Sequence, residues 1–269
     1  MVALETQQER ALLAGVGVLI TRPAHQAEHL AQLIEAAGGV AVRFPTIDIV
    51  PPDDPGPLLA VLDRLADYDL AIFISPNAVE QTFSWLRAAK REWPKRLPIA
   101  CVGRATAATV EKRGLNATTP TERFDSEALL GLSLLQDVHR KKVVIFRGDG
   151  GRELLGGTLA RRGAVVSYAE SYRRARPRTD VETLIDAWRR GEIQIVSITS
   201  TEGLRNLHEM LGETGRSWLY DTPLVVLSRA QAAACRELGC TQNVSIATEA
   251  SDEAILEAVK TWRREYFSR

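Results

Sequence analysis

Five short stretches carry most of the side chains that could do chemistry: Thr21-Arg22-Pro23, Ser75-Pro76-Asn77, Gly103-Arg104-Ala105-Thr106, Arg147-Gly148-Asp149-Gly150-Gly151-Arg152 and Thr199-Ser200-Thr201-Glu202-Gly203. Each closes an apolar, β-branched run and opens a stretch with helical spacing. Together they offer hydroxyls, guanidinium groups and backbone N–H groups at helix starts, the donors that hold carboxylates or phosphates. None of them pairs a strong nucleophile with a base. Ser, Thr and Asn at such places commonly do no more than cap the helix that follows; five such loops converging on one region favour a ligand site.

The glycine-rich loop after Phe146 follows a strand and opens a helix, as a phosphate loop does. It lacks Gly-Lys-Ser/Thr, and Glu153 stands where the last glycine of G-x-G-x-x-G belongs, so carboxylate binding fits it better than nucleotide binding. His25 and His29 share a helix face, but Gln26 stands where a zinc protease needs Glu, and no third ligand is evident. These histidines read as a solvated face, and the strand-end loops hold no metal-ligand set. Arg173, Arg174, Arg176 and Arg178 read as a solvated charge run that could also draw in an anion.

The elements that must position these loops are repeated along the chain. Val18–Arg22 aligns with Val143–Arg147 at an offset of 125 residues, and the same offset brings Ile74–Ala78 onto Thr199–Gly203 and Val102–Ala107 onto Leu227–Ala232. Gly38–Val40 with Gly163–Val165 and Gly114 with Gly239 keep it too, and after one inserted residue Ser126–Leu130 meets Asp252–Leu256. A constant offset over so many stretches marks a duplicated unit. In the first copy, strands are predicted near 16–21, 40–44, 70–75, 99–102 and 117–118, and helices near 24–37, 57–65, 78–90, 105–112 and 126–136. The second copy repeats the strands from Val143, Val165, Ile193, Leu224 and Val244. Five β-α units per copy imply an α/β chain of two flavodoxin-like domains, each with a parallel sheet covered on both faces.

Proline-rich breaks follow the second strand of each copy, at Pro45–Pro57 and around Pro177. They cut the chain into three pieces. Either the outer two join around a continuous middle domain, or two contiguous domains meet near His139–Lys142; pattern alone supports both. Relative motion about such linkers is the expected default.

With 269 residues the chain has room for about two domains. Its 34 Lys+Arg balance 34 Asp+Glu, which argues against general binding to nucleic acid or to an anionic membrane. Any anion must then be held by a local cluster. No apolar run reaches the ~20 residues of a membrane span. Ala11–Ile20 follows acidic residues and reads as the first buried strand, not a secretory signal. Cys101, Cys235 and Cys240 give an odd count without C-x-x-C spacing, which points to a reduced, cytoplasmic protein.

The order and spacing of Val18–Pro23, Asp69–Val79, Val102–Ala107, Val143–Leu155, Gly163–Tyr172 and Ser197–Leu204 resemble the uroporphyrinogen-III synthase family over nearly the whole chain after residue 15. The resemblance implies two flavodoxin-like domains from the duplication, joined by a two-stranded linker. It favours the interleaved assembly: residues 1–46 with 178–269, residues 50–172, and linkers at 47–49 and 173–177. It implies a lyase that needs no cofactor and cyclises hydroxymethylbilane, in the cleft between the domains, with loss of water and inversion of ring D. On the matching positions it places Tyr172 as the catalytic group. It places Arg22, Ser75, Asn77, Ala78, Gly103, Arg104, Thr106, Arg147, Gly148, Gly151, Arg152, Ser200, Thr201 and Gly203 against the substrate.

Ser228 and Gln231 replace the Gly and Thr that the first copy has at those positions, so no contact is assigned to their loop. The partners so implied are the tetrapyrrole itself and a transient hand-over from hydroxymethylbilane synthase, with the chain acting as a monomer. A bilobal protein that binds a tetrapyrrole without catalysis, or regulates by binding it, is the alternative of a different class. Neither a periplasmic signal peptide nor an N-terminal helix-turn-helix is visible in residues 1–14.

Overall fold

The computed structural model describes residues 12–121, 123, 125–150, 153–240 and 242–267. The chain divides into two compact units, Met1–Asp48 with Ala175–Arg269 and Ile49–Arg174. The backbone therefore passes between them twice.

The first unit is built from β1 (Gly17–Ile20), α1 (Ala24–Ala36), β2 (Val40–Arg43), α7 (Val181–Arg189), β8 (Ile195–Ile198), α8 (Thr201–Asp221), β9 (Leu224–Val226), α9 (Arg229–Glu237), β10 (Val244–Ile246) and α10 (Asp252–Phe267). Its strands lie in the order β2-β1-β8-β9-β10, and every neighbouring pair is parallel. Strands β1, β8 and β9 are buried throughout, as continuous apolar runs in a sheet covered on both faces should be. One face packs Leu30, Ile34, Ile255 and Val259 over Val18 and Ile20; the other packs Trp188, Leu204 and Leu207 over Leu19 and Val196. Gly212 takes φ 58°, a value glycine reaches without a Cβ penalty, and breaks α8 into two segments.

The second unit contains β3 (Asp48–Val50), α2 (Gly56–Asp63), β4 (Leu70–Phe73), α3 (Pro76–Ala88), β5 (Ile99–Cys101), α4 (Arg104–Glu111), α5 (Ser126–Leu130), β6 (Lys142–Gly148), α6 (Leu154–Arg161) and β7 (Val165–Ala175). The order is β3-β7-β6-β4-β5, with β7, β6, β4 and β5 mutually parallel. Phe73 and Phe146 stack at 4.8 Å between ring centroids on the α3 face, beside Phe83 and Trp93. Ile72, Ile145, Leu155 and Leu159 fill the opposite face.

Several boundaries differ from the sequence reading. The helix expected over 126–136 ends at Leu130, where Gly131 forms its C-cap, and a 3-10 turn follows at Ser133–Leu135. The strand expected at 117–118 is a single bridge between Ala100 and Thr118. The strand expected from Ile193 begins at Ile195. The first strand is Gly17–Ile20, with Leu12–Gly15 in turns before it; Ala11 lies outside the described residues. Proline was expected to end regular structure near residue 173, yet β7 runs on to Ala175, held by its pairing with β3. Among the described residues no helix is long and apolar enough to cross a membrane.

Candidate active site

In the second unit the strand ends carry two separate groups of side chains, because neighbouring residues on a strand face opposite ways. On the α3 face, Ser75 sits in extended backbone as the N-cap of α3, and its Oγ accepts from the Ala78 N–H at 3.1 Å. The same Oγ lies 3.0 Å from the Tyr172 hydroxyl, and either oxygen can donate. Ser75 therefore holds the phenol at a fixed place while its own proton stays available. Tyr172 is 1% exposed and packs in the core around Phe73 and Phe146. A Cβ on Gly148 would lie 2.8 Å from the Tyr172 ring and 3.1 Å from its oxygen, so only glycine leaves that edge uncovered. The register shift between Arg147 and Gly148 turns Tyr172 onto this face, and the Asp149 N–H donates to the Tyr172 carbonyl at 3.0 Å. Ser171 Oγ points to the carbonyls of Arg147 and Ala78, and the Trp85 indole donates to the Ser171 carbonyl at 3.1 Å.

On the other face a cavity of about 200 Å³ opens between Ile74, Val102, Ser126, Arg147, Leu155 and Tyr168. The Arg147 guanidinium lies 4.3 Å from the centroid of the Tyr168 ring and pairs through Nη2 with Glu170 at 3.1 Å. A Cβ on Gly156 would come within 2.0 Å of the Tyr168 oxygen, so the glycine on α6 makes room for that ring. Asp125 caps α5 by accepting from the Ala128 N–H at 2.8 Å. That bond, helped by Arg123, holds its carboxyl below the usual range.

Beyond β5, Gly103 is the N-cap of α4 and has no side chain to offer. Thr106 lies inside the first turn of α4, 4% exposed. It is therefore not the helix cap that its sequence position suggests; the cap position belongs to Gly103. Arg104 donates to the Thr121 carbonyl at 3.0 Å, and Asn77 is buried in the first turn of α3.

In the first unit Ser200 caps α8, accepting from the Gly203 N–H at 2.9 Å, with Thr201 as the first helical residue. A Cβ on Gly203 would meet Ser200 Oγ at 3.0 Å and Thr46 Oγ1 at 3.1 Å. Arg22 is paired with Asp252 at the start of α10, and His29 Nδ1 lies 2.9 Å from the same carboxylate. His29 thus lies on an exposed face beside the Arg22–Asp252 ion pair; among the described residues no group of three His, Cys, Asp or Glu could hold a metal ion.

The structure thus brings Ser75, Ala78, Gly148 and Tyr172 together and sets the Arg147 side chain across the sheet from them. Gly151 and Arg152 lie outside the described residues. Sequence reasoning missed Tyr168, Ser126, Thr46 and Asn206, whose amide donates to the Thr46 carbonyl at 2.8 Å. It left the Gln231 loop unassigned. Gln231 accepts from the Leu227 N–H at 2.7 Å and donates to the Thr199 carbonyl at 3.0 Å, tying the loops after β8 and β9 together. The signal was present in the exchange of Thr106 for Gln231 between the copies, but it names no partner.

Two units in one chain, each built on a parallel sheet with hydroxyl, amide and guanidinium groups at its strand ends, define an α/β protein of the open-sheet class. The family model described as uroporphyrinogen-III synthase HemD matches residues 28–257. The uroporphyrinogen-III synthase of Escherichia coli is 34% identical over 247 residues, spanning 91% of this chain and 100% of the relative. That of Synechococcus elongatus is 28% identical over 94% of this chain and 97% of its own. Two solved structures share the fold. The synthase of Thermus thermophilus, a mutant, has a TM-score of 0.60 at 20% identity over 94% of this chain and 100% of that one. The synthetase of Helicobacter pylori has 0.58 at 16% identity, over 92% and 99%. The chain belongs to the uroporphyrinogen-III synthase family, whose members are enzymes of tetrapyrrole biosynthesis.

Proposed function

We propose that this chain cyclises hydroxymethylbilane to uroporphyrinogen III, with loss of one water and inversion of ring D. The observation that carries the reading is the Ser75–Tyr172 pair beside Gly148, in a chain of this family. The bilane's hydroxymethyl carbon must lose hydroxide, a poor leaving group. A proton from the Tyr172 phenol lets the oxygen depart as water, and the pyrrole nitrogen stabilises the cation that remains. The substituted α-carbon of ring D attacks that cation and forms a spiro centre. The bond from ring D to its old bridge then breaks and re-forms at the other α-carbon. The proton lost there on rearomatisation balances the one supplied at the start. Ser75, donating to the phenol oxygen, stabilises the charge that develops on it. Since Tyr172 is 1% exposed, its proton passes along the hydroxyl edge beside Ser75 and Gly148.

Most of the driving force is the pyrrole's own, so the chain mainly positions the substrate and excludes direct closure. Arg22, Asn77, Ala78, Gly103, Arg104, Thr106, Arg147, Gly148, Gly151, Arg152, Ser200, Thr201 and Gly203 are proposed to meet its carboxylates and bridges, with strand ends of both units contributing. Matched by the 125-residue offset, β2-β1-β8-β9 of one sheet and β7-β6-β4-β5 of the other keep the same order, which supports an origin by duplication. In this reading the chain works as a cytoplasmic monomer, without a cofactor, and receives its substrate from hydroxymethylbilane synthase. The test is the rate of bilane consumption. Purified protein should consume fresh bilane well above the rate of spontaneous closure, and a rate equal to the protein-free control would refute the proposal.

A further inference from the structure

The two units treat equivalent arginines differently. Arg22 follows β1 and Arg147 lies on β6, strands matched by the 125-residue offset; β1 runs between β2 and β8, and β6 between the corresponding β7 and β4. In the first unit the helix beyond the last strand starts at Ser251-Asp252. Ser251 caps it, accepting from the Ala254 N–H at 3.1 Å, and the Asp252 carboxylate is left to pair with Arg22. In the second unit the same two positions read Asp125-Ser126. Here the acid is the cap and is spent on the Ala128 N–H, and the residue facing the arginine is a neutral, short serine. Where the first unit holds Asp252, the second holds the cavity between Ser126, Arg147 and Tyr168.

We infer that this cavity is a subsite for one substituted pyrrole ring, whose carboxylate takes the place beside Arg147 that Asp252 takes beside Arg22. This rests on the tetrapyrrole reading given above and names a specificity pocket within it. At about 200 Å³ the cavity is smaller than a whole-ligand pocket of ~300–1,000 Å³, so it suits one ring of a larger substrate. Ile74, Val102 and Leu155 give the ring apolar walls. Tyr168 is a positioning residue: its ring lies 4.3 Å from the guanidinium, and Gly156 leaves room for its hydroxyl end. Glu170 Oε1 accepts from Arg147 Nη2 at 3.1 Å and from Nε at 3.4 Å, as an internal stand-in with which the substrate carboxylate competes. Its side chain is 45% exposed and so able to swing away.

The test uses the full chain and reads two quantities: KM for fresh hydroxymethylbilane, and the Kd for reduced cyclic octacarboxylate product under anaerobic conditions. Ser126→Asp installs the internal carboxylate of the first unit and should raise both at least tenfold, with the thermal midpoint held. Ser126→Asn, the same size without the charge, should raise them at least fivefold less. Glu170→Gln removes the competitor and should lower both by about two- to fivefold, the span of an exposed ion pair. Equal effects of Asp and Asn, or a rise with Glu170→Gln, would overturn the proposal. Should the aspartate variant not fold, the sign of the Glu170→Gln change decides. A parental chain that consumes no bilane above the control would overturn the synthase reading alone, and the Kd values would still judge the subsite. A parental chain that does not bind the octacarboxylate would overturn the subsite as well.

Discussion

Tyr172→Phe removes a single oxygen, 3.0 Å from Ser75 Oγ, and leaves the ring in its core position. The stability at stake is one net hydrogen bond, about 0.5–1.5 kcal/mol, and the Ser75 side retains its bond from the Ala78 N–H. A change of ~1 kcal/mol moves the thermal midpoint by only a few degrees in a domain of this size. Loss of general-acid assistance typically lowers a rate by ~10²–10⁴-fold, and electron release from the pyrrole places this case at or below the low end of that range, near 10- to 100-fold. Steady-state assays with fresh bilane, alongside a denaturation curve, separate the two effects. The expected pattern is a kcat lower by one to two decades, a KM changed less than threefold and a midpoint within about 5 °C. A variant with full kcat and a midpoint lowered by several degrees would make Tyr172 a packing residue and refute the acid role.

Gly103 has the extended backbone of the capping serines Ser75, Ser200 and Ser228, so Gly103→Ser should cap α4. It should stabilise the fold by a few tenths to ~1 kcal/mol in urea while raising KM, because the first-turn amides are then occupied. Gln231→Ala removes both bonds between the loops after β8 and β9 and should destabilise by about 1–3 kcal/mol in the same assay. The thiols of Cys101 and Cys240 are pushed up to about 12, and that of Cys235 to about 11, each mainly by burial. They should resist a disulfide reagent at pH 8 until the protein is unfolded. Because the unfolded chain ionises first, stability should be full below pH ~9 and then fall by about 1.4 kcal/mol per thiol for each further pH unit. A flat stability curve between pH 9 and 10.5 would contradict the burial of these groups.

The sheet strands were legible because a parallel strand covered on both faces must be apolar at every position, as Leu70–Phe73 and Val143–Phe146 are. The strand-end loops were legible because each apolar run stops at Ser, Thr, Gly or Arg. The division of the site between two faces was not. It depends on the register of β6 against β7 and on the shift at Arg147/Gly148, which sets Tyr172 opposite Gly148 and leaves Tyr168 and Glu170 on the far side with Arg147. A sequence does not display a register shift. Thr106 misled as a cap because threonine commonly fills that role, whereas the backbone places Gly103 there. The break at Gly131 was visible as a glycine, but the apolar spacing of Leu129, Leu130, Leu134 and Leu135 continued through it. Nothing in the sequence pattern links Tyr168 and Ser126; the fold sets them around one arginine.

Whether this chain inverts ring D is decided by the isomer it forms from fresh hydroxymethylbilane. The products, oxidised to porphyrins and separated by chromatography, report whether ring D was inverted. The type III isomer is expected in large excess, at a yield that scales with protein concentration. Type I product alone, in the proportion given by the protein-free control, would contradict the synthase reading.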